Sequence, residues 1–134
     1  MIEKNIIRVS DVMNHEFLMM DGLATVAEAL REMKGRNANF VLIEKRTDDD
    51  EYGLVMASDI AKKVLAVNSS PDRTNVYEIM SKPVLSVEPD MHIRYCARLF
   101  DHFGISTAPV VSGGKILGVV SYDTLVLKGL AADV

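Results

Sequence analysis

Asp59 follows Ser58 at the expected start of a helix, directly after the apolar run Gly53-Leu54-Val55-Met56. A helix N-terminus presents free N–H groups to an anion, and a carboxylate at that point can accept both hydroxyls of a ribose. The same carboxylate can instead serve as a cap or first-turn acid, a contribution of about 0.5–2 kcal/mol. His92 and Cys96 are four apart on an expected helix, as metal ligands can be, with His102 further along. Cys96 lies on that helix's apolar stripe, however, and two ligands do not make a structural site, so no metal is expected. The run Asp48-Asp49-Asp50-Glu51 lacks the Gly-turned loop of a calcium site and reads as a solvated loop tip. No Ser-His-Asp or Cys-His arrangement surrounds a nucleophile, and there is no Gly-Lys-Ser/Thr loop or zinc-type His-Glu motif. The sequence points to binding rather than catalysis.

The elements that must position these residues occur twice. Val9-Ser10-Asp11-Val12-Met13 matches Val76-Tyr77-Glu78-Ile79-Met80 at an offset of 67, which also pairs Val26 with Ile93, Ala29 with Cys96, Met33 with Phe100 and Ile43 with Val110. Gly53-Leu54-Val55 then matches Gly118-Val119-Val120 at an offset of 65, the second hairpin being two residues shorter. The repeats are placed at 9–67 and 76–131, with the polar segment 68–75 as linker.

Each repeat reads as a short helical turn capped by Ser10 or Asn75, an extended segment (Phe17 to Met20, Val84 to Val87), and an amphipathic helix. Thr25 and Glu28 form a capping box ahead of the stripe Val26, Ala29, Leu30 and Met33. Asp90 is the expected cap of the second helix, whose stripe is Ile93, Cys96, Ala97, Phe100 and Phe103. Gly35 and Gly104 should end the two helices. Hairpins follow, Phe40 to Glu44 with Tyr52 to Met56 and Thr107 to Val111 with Ile116 to Val120, the second turned by Gly113-Gly114. A last helix is expected over Asp59 to Val67 and over Thr124 to Ala131.

At 134 residues the chain suffices for one compact domain, so the two repeats must share a core, packed face to face about a pseudo-two-fold axis with related clefts between them. Net charge is −4 and the fifteen Lys and Arg residues are scattered, which argues against nucleic acid as a partner. No apolar run reaches a membrane span and no signal peptide is legible, so a cytoplasmic location is expected. A single cysteine fits a reducing compartment. The eight methionines mostly fall at apolar repeat positions, as Met13, Met33 and Met80 do, and read as core.

The order and spacing of Gly104-Ile105-Ser106-Thr107-Ala108-Pro109-Val110-Val111, Gly118-Val119-Val120-Ser121 and Gly53-Leu54-Val55-Met56-Ala57-Ser58-Asp59-Ile60 resemble the tandem CBS module, or Bateman module, over roughly Val9 to Leu130. The resemblance implies an α/β (α+β) fold of two repeats, each a small three-stranded sheet with flanking helices. It implies a non-catalytic regulatory module that holds an adenine nucleotide (AMP, ADP or ATP) in an inter-repeat cleft, requires no cofactor, forms a homodimer and signals to a separate effector protein. Carried over position by position, one site comprises Ser58 and Asp59 with Met80, Pro83, Val84, Leu85, Ile105, Ser106, Thr107 and Pro109. In the other cleft Thr124 stands at the position of Asp59, with Ser121 and Asp123 nearby, and Ala38 and Asn39 lie in a base-side segment lacking the Gly and the Pro. That cleft is expected to bind weakly. Met56 stands where the family usually has Ser or Thr, and Lys62, Lys63, Lys82 and Arg36 are the candidates for neutralising phosphate. The rival reading is a ligand-free dimerisation and docking module; a third is a redox or metal sensor built on Cys96 and His92.

Overall fold

The computed structural model describes residues 6–82 and 84–134, apart from the side chain of Asp133. The order of elements is α1 (Val9–Val12), β1 (Met19–Met20), α2 (Val26–Arg36), β2 (Phe40–Ile43), β3 (Gly53–Met56) and α3 (Ala57–Ile60), then a 3-10 turn at Val76–Glu78, α4 (Ile93–Phe103), β4 (Thr107–Ser112), β5 (Lys115–Ser121) and α5 (Tyr122–Thr124). The fold is mixed α/β, as expected. One sheet has the order β1-β2-β3, with β1 parallel and β3 antiparallel to β2; the other pairs β4 with β5, and Val87 adds one parallel bridge to Val110.

The chain forms two compact units, and they are not the two sequence repeats. One is the continuous stretch Phe17–Val84; the other joins Leu85–Val134 to the described residues up to Glu16. In the second unit Asn14 bridges Val119, and in the first Ser81 bridges Leu54, so the helical turn that opens each repeat seats on the hairpin of the other repeat. The backbone bonds repeat in kind: Val26 N–H donates to Thr74 and Val76 N–H to Ala24 in one unit, while Ile93 N–H donates to Ile7 and Val9 N–H to Met91 in the other. Each unit therefore has a core of mixed origin. Val76 and Ile79 pack with Val26, Met33, Val41 and Val55. Val9 and Val12 pack with Cys96, Phe100, Val110 and Val120.

The Thr25–Glu28 capping box forms as read, with the Glu28 N–H donating to Thr25 Oγ1 at 3.1 Å and the Thr25 N–H to Glu28 Oε2 at 3.3 Å. Five helix ends depart from expectation. The cap of α1 is Arg8 rather than Ser10, because the Asp11 carboxylate accepts the Arg8 N–H at 2.9 Å. That of α4 is His92 rather than Asp90, since His92 Nδ1 accepts the Arg94 N–H at 3.0 Å. Gly35 lies inside α2, which ends instead on Asn37 in the left-handed region at φ 52°. The last helices begin earlier, at Ala57 and Tyr122, and pass into π turns at Ala61–Leu65 and Leu125–Gly129. Gly104 does end α4, at φ 66°. Phe103 and Leu30, expected in the stripes, are 56% and 38% exposed.

Candidate functional site

β3 runs straight into α3, and the junction fixes Asp59 at the third helical position. Its Oδ2 accepts the Met56 N–H at 2.8 Å, which satisfies a donor the helix start would otherwise leave open. Asp59 is half-buried, and among the described residues no donor reaches its Oδ1. Ser58 beside it is exposed. The segment leading into β2 is tied to the same corner, because the Ala57 N–H donates to the Asn39 carbonyl at 2.8 Å. Asn39 is thus brought to the corner that carries Asp59, in one unit. Ala38 caps the end of α2 through its N–H to the Met33 carbonyl at 2.9 Å.

The other unit builds the same corner with different chemistry. Thr124 Oγ1 accepts the Ser121 N–H at 2.9 Å and donates to the Ser121 carbonyl at 3.0 Å. The Tyr122 N–H donates to the Ser106 carbonyl at 3.2 Å. Ser121, Thr124 and Ser106 are therefore brought together, with Asp123 exposed beside them. Where one corner offers an acid and no cap hydroxyl, its counterpart offers two hydroxyls and no acid at the matching position.

The remaining site residues divide between the units. Met80 is half-buried against the core of the first unit, its sulfur close over Gly53, and the Val84 N–H donates to the Tyr52 carbonyl at 3.3 Å. Leu85 is half-buried in the second unit, where Ile105 packs against the core and Thr107 and Pro109 are buried in β4. The Pro109 carbonyl accepts the Val87 N–H at 3.0 Å. Pro83 lies outside the described residues.

Two of the four cations considered for phosphate are already engaged. Lys63 Nζ donates to the Ile79 carbonyl at 3.1 Å, and Lys82 Nζ lies 2.5 Å from Asp50 in the β2–β3 loop. Sequence reasoning missed both contacts, since neither partner is close in the chain. Among the described residues no three His, Cys, Asp or Glu side chains converge as a metal site, and no helix is long and apolar enough to cross a membrane.

The CBS domain family model matches residues 9–66 and 76–129. An uncharacterized protein of Methanopyrus kandleri is 27% identical over 120 residues, a match that covers 89% of this chain and 61% of that relative, so the chain spans about three fifths of its length. The hexameric CBS-CP12 protein from bloom-forming cyanobacteria superposes with a TM-score of 0.91 at 34% identity, over 96% of this chain and 74% of that one. A CBS domain pair solved in complex with 5′-methylthioadenosine and S-adenosyl-L-methionine superposes with a TM-score of 0.82 at 22% identity, over 97% of this chain and 100% of that one. With both of its sequence repeats matched, the chain belongs to the CBS domain family.

Proposed function

We propose that the chain is a non-catalytic regulatory module of the cytoplasm that binds an adenosine-containing ligand and passes the result to a separate protein. The observation that carries this reading is Asp59: a carboxylate fixed at a helix start by the Met56 N–H, with no donor on its second oxygen among the described residues. Such a group suits the two hydroxyls of a ribose. The likeness to a CBS domain pair solved with two adenosine compounds supports the same ligand class. The resemblance groups Ser58, Met80, Pro83, Val84, Leu85, Ile105, Ser106, Thr107 and Pro109 with Asp59, and Ala38 and Asn39 with Ser121, Asp123 and Thr124 for a weaker site, whereas the Asn39 carbonyl lies at the corner of Asp59 and the Ser106 carbonyl at that of Thr124. A ligand shifts such a module only by binding one arrangement better than another.

Isothermal titration with AMP, ADP, ATP and S-adenosylmethionine tests the reading. Saturable binding is expected in the wild type, with Asp59→Ala losing roughly 1.5–3 kcal/mol of it as charge-assisted hydrogen bonds disappear, and Thr124→Ala much less. Equal losses in both variants would overturn the site assignment. A second reading, a ligand-free dimerisation and docking module, is favoured by the exposed apolar side chains of Leu65 (77%), Leu127 (69%) and Leu130 (62%). No heat from any of the four compounds would favour it.

A further inference from the structure

α4 carries on its solvent side a set of residues that its packing does not use. Its inward stripe repeats that of α2: Cys96 and Phe100 are buried as Ala29 and Met33 are. The outward faces differ. At the offset of 67, α2 has Ala27, Glu28, Arg31 and Gly35 where α4 has Arg94, Tyr95, Arg98 and His102. Glu28 closes the capping box of α2, whereas Tyr95 is exposed and caps nothing. A face that is small and of mixed sign on one helix is thus aromatic and cationic on its counterpart.

The guanidinium carbons of Arg94 and Arg98 lie 5.2 and 5.6 Å from the centre of the Tyr95 ring, within cation–π range. The His92 ring packs edge-on against the same ring, centroids 5.7 Å apart. Arg94 and Arg98 stand one turn apart, so a single ring holds both cations on one side of the helix. A guanidinium stacked in this way keeps its in-plane N–H groups open to an acceptor. Among the described residues neither guanidinium enters an ion pair; the ion pairs there all involve Asp50. Asp101, the one acid of α4, is exposed and pairs with neither.

We propose that this face of α4 docks an acidic segment of a partner protein, Arg94 and Arg98 taking its carboxylates and the Tyr95 ring an apolar side chain beside them. Charge singles out that occupant. The chain is net −4, so two adjacent guanidiniums without a paired acid run against its overall field and find their complement in carboxylates. Arginine forks bind carboxylates bidentately, and Tyr and Arg are enriched where interface binding energy concentrates. A nucleic-acid strand is the poorer fit. The 11 residues of α4 offer a face about 16 Å long, and the net negative charge beyond it repels a polyphosphate backbone. Such docking rests on the reading above only in its passage of a result to a separate protein, not in its small ligand.

Fluorescence anisotropy of a labelled glutamate-rich peptide with leucine at each helical turn, titrated with the full chain and no adenosine compound present, tests the docking. Saturable binding is expected, weakening as salt rises. Arg94→Glu combined with Arg98→Glu should weaken it at least about tenfold, and Tyr95→Ala at least about threefold. Arg31→Glu combined with Lys34→Glu changes the net charge by the same amount on α2, and should leave the affinity within about twofold of wild type. All of these side chains are exposed, so the variants keep the fold, which circular dichroism checks. Equal effects of the two double variants would reduce the attraction to net charge and overturn the docking, as would a wild type that does not bind the peptide. Tighter binding of a labelled single-stranded oligonucleotide than of the peptide would assign the face to nucleic acid and overturn it equally. The adenosine titration is separate, so either reading can fail while the other stands.

Discussion

Asp59 combines two tasks that single substitutions can separate. Its Oδ2 holds the start of α3 through the Met56 N–H, and an asparagine at that position can still accept this bond. Asp59→Asn should therefore cost less than about 1 kcal/mol of stability, measured by urea unfolding, while weakening any adenosine ligand nearly as much as Asp59→Ala does. A variant that loses stability and keeps its ligand would show the carboxylate to be a cap alone. Cys96 behaves oppositely, as a group whose chemistry is suppressed by its place. It is fully buried on α4, and burial pushes its thiol from 9.0 up to about 11. The unfolded thiol ionises first on raising the pH, so the unfolded state then binds fewer protons than the native one and stability falls. This contribution is fully present below pH 9 and lost as pH rises towards about 11. Relative to wild type, Cys96→Ala should lose less stability across that window, and the native thiol should resist iodoacetamide at pH 8 until the protein is unfolded. A rapid native reaction would contradict the burial. Asp50 is shifted the other way: Lys82 and the loop N–H groups of Arg46 and Glu51 hold its carboxyl well below the usual carboxylate range. Its contribution is present above the usual carboxylate value and survives until strongly acid pH.

At the scale of the element, the repeat makes paired experiments available. Gly53 and Gly118 occupy matching strand positions under the seated turns, but what a side chain would meet differs. A Cβ on Gly118 would come 2.8 Å from the Asn14 backbone oxygen, whereas one on Gly53 would meet the Met80 sulfur at 2.6 Å. Backbone held by a bridge cannot move aside as the end of a methionine can. Gly118→Ala should cost about 1–3 kcal/mol and Gly53→Ala less, read from midpoints of denaturant unfolding. Gly35→Ala should instead stabilise by about 0.5–1 kcal/mol, since Gly35 lies within α2 with nothing within 4 Å of an added Cβ. The sequence signalled elements better than ends. The Thr25–Glu28 box and the Gly104 stop were legible because each acts through residues a few positions away. The cap of α4 was not, because Asp90 is the better cap by residue type, and the choice of His92 goes with Arg8, whose Nη1 reaches the Asp90 carbonyl at 2.5 Å from 82 residues away. For the site, the corner at Asp59 could be read from its place directly after the apolar run Gly53-Leu54-Val55-Met56. The engagement of Lys63 by Ile79 and of Lys82 by Asp50 could not, as both depend on which segments meet.

At the scale of the molecule, the offset of 67 made the duplication plain and left the exchange hidden, because a seating turn carries the same apolar pattern whichever hairpin it covers. Met13 and Met80 are matched residues, and each lies close to the glycine of the hairpin that belongs to the other repeat. The consequence is that cutting the chain by its sequence pattern and by its packing gives different results. A fragment 9–67 carries Val9 and Val12 away from Cys96, Phe100 and Val120, and leaves behind Val76, Ile79 and Met80, which fill the core around Val26, Met33 and Val55. A fragment 17–84 keeps that second core entire, with the Leu54–Ser81 bridge and the Val76 to Ala24 bond. A chain of that length is marginal, so its midpoint should fall below that of the whole protein, yet its unfolding should stay cooperative with dispersed amide resonances. The fragment 9–67 should show neither. If 9–67 folds and 17–84 does not, each helical turn belongs with its own repeat and the exchange does not hold in solution; the opposite result makes the packing unit, rather than the sequence repeat, the unit of folding.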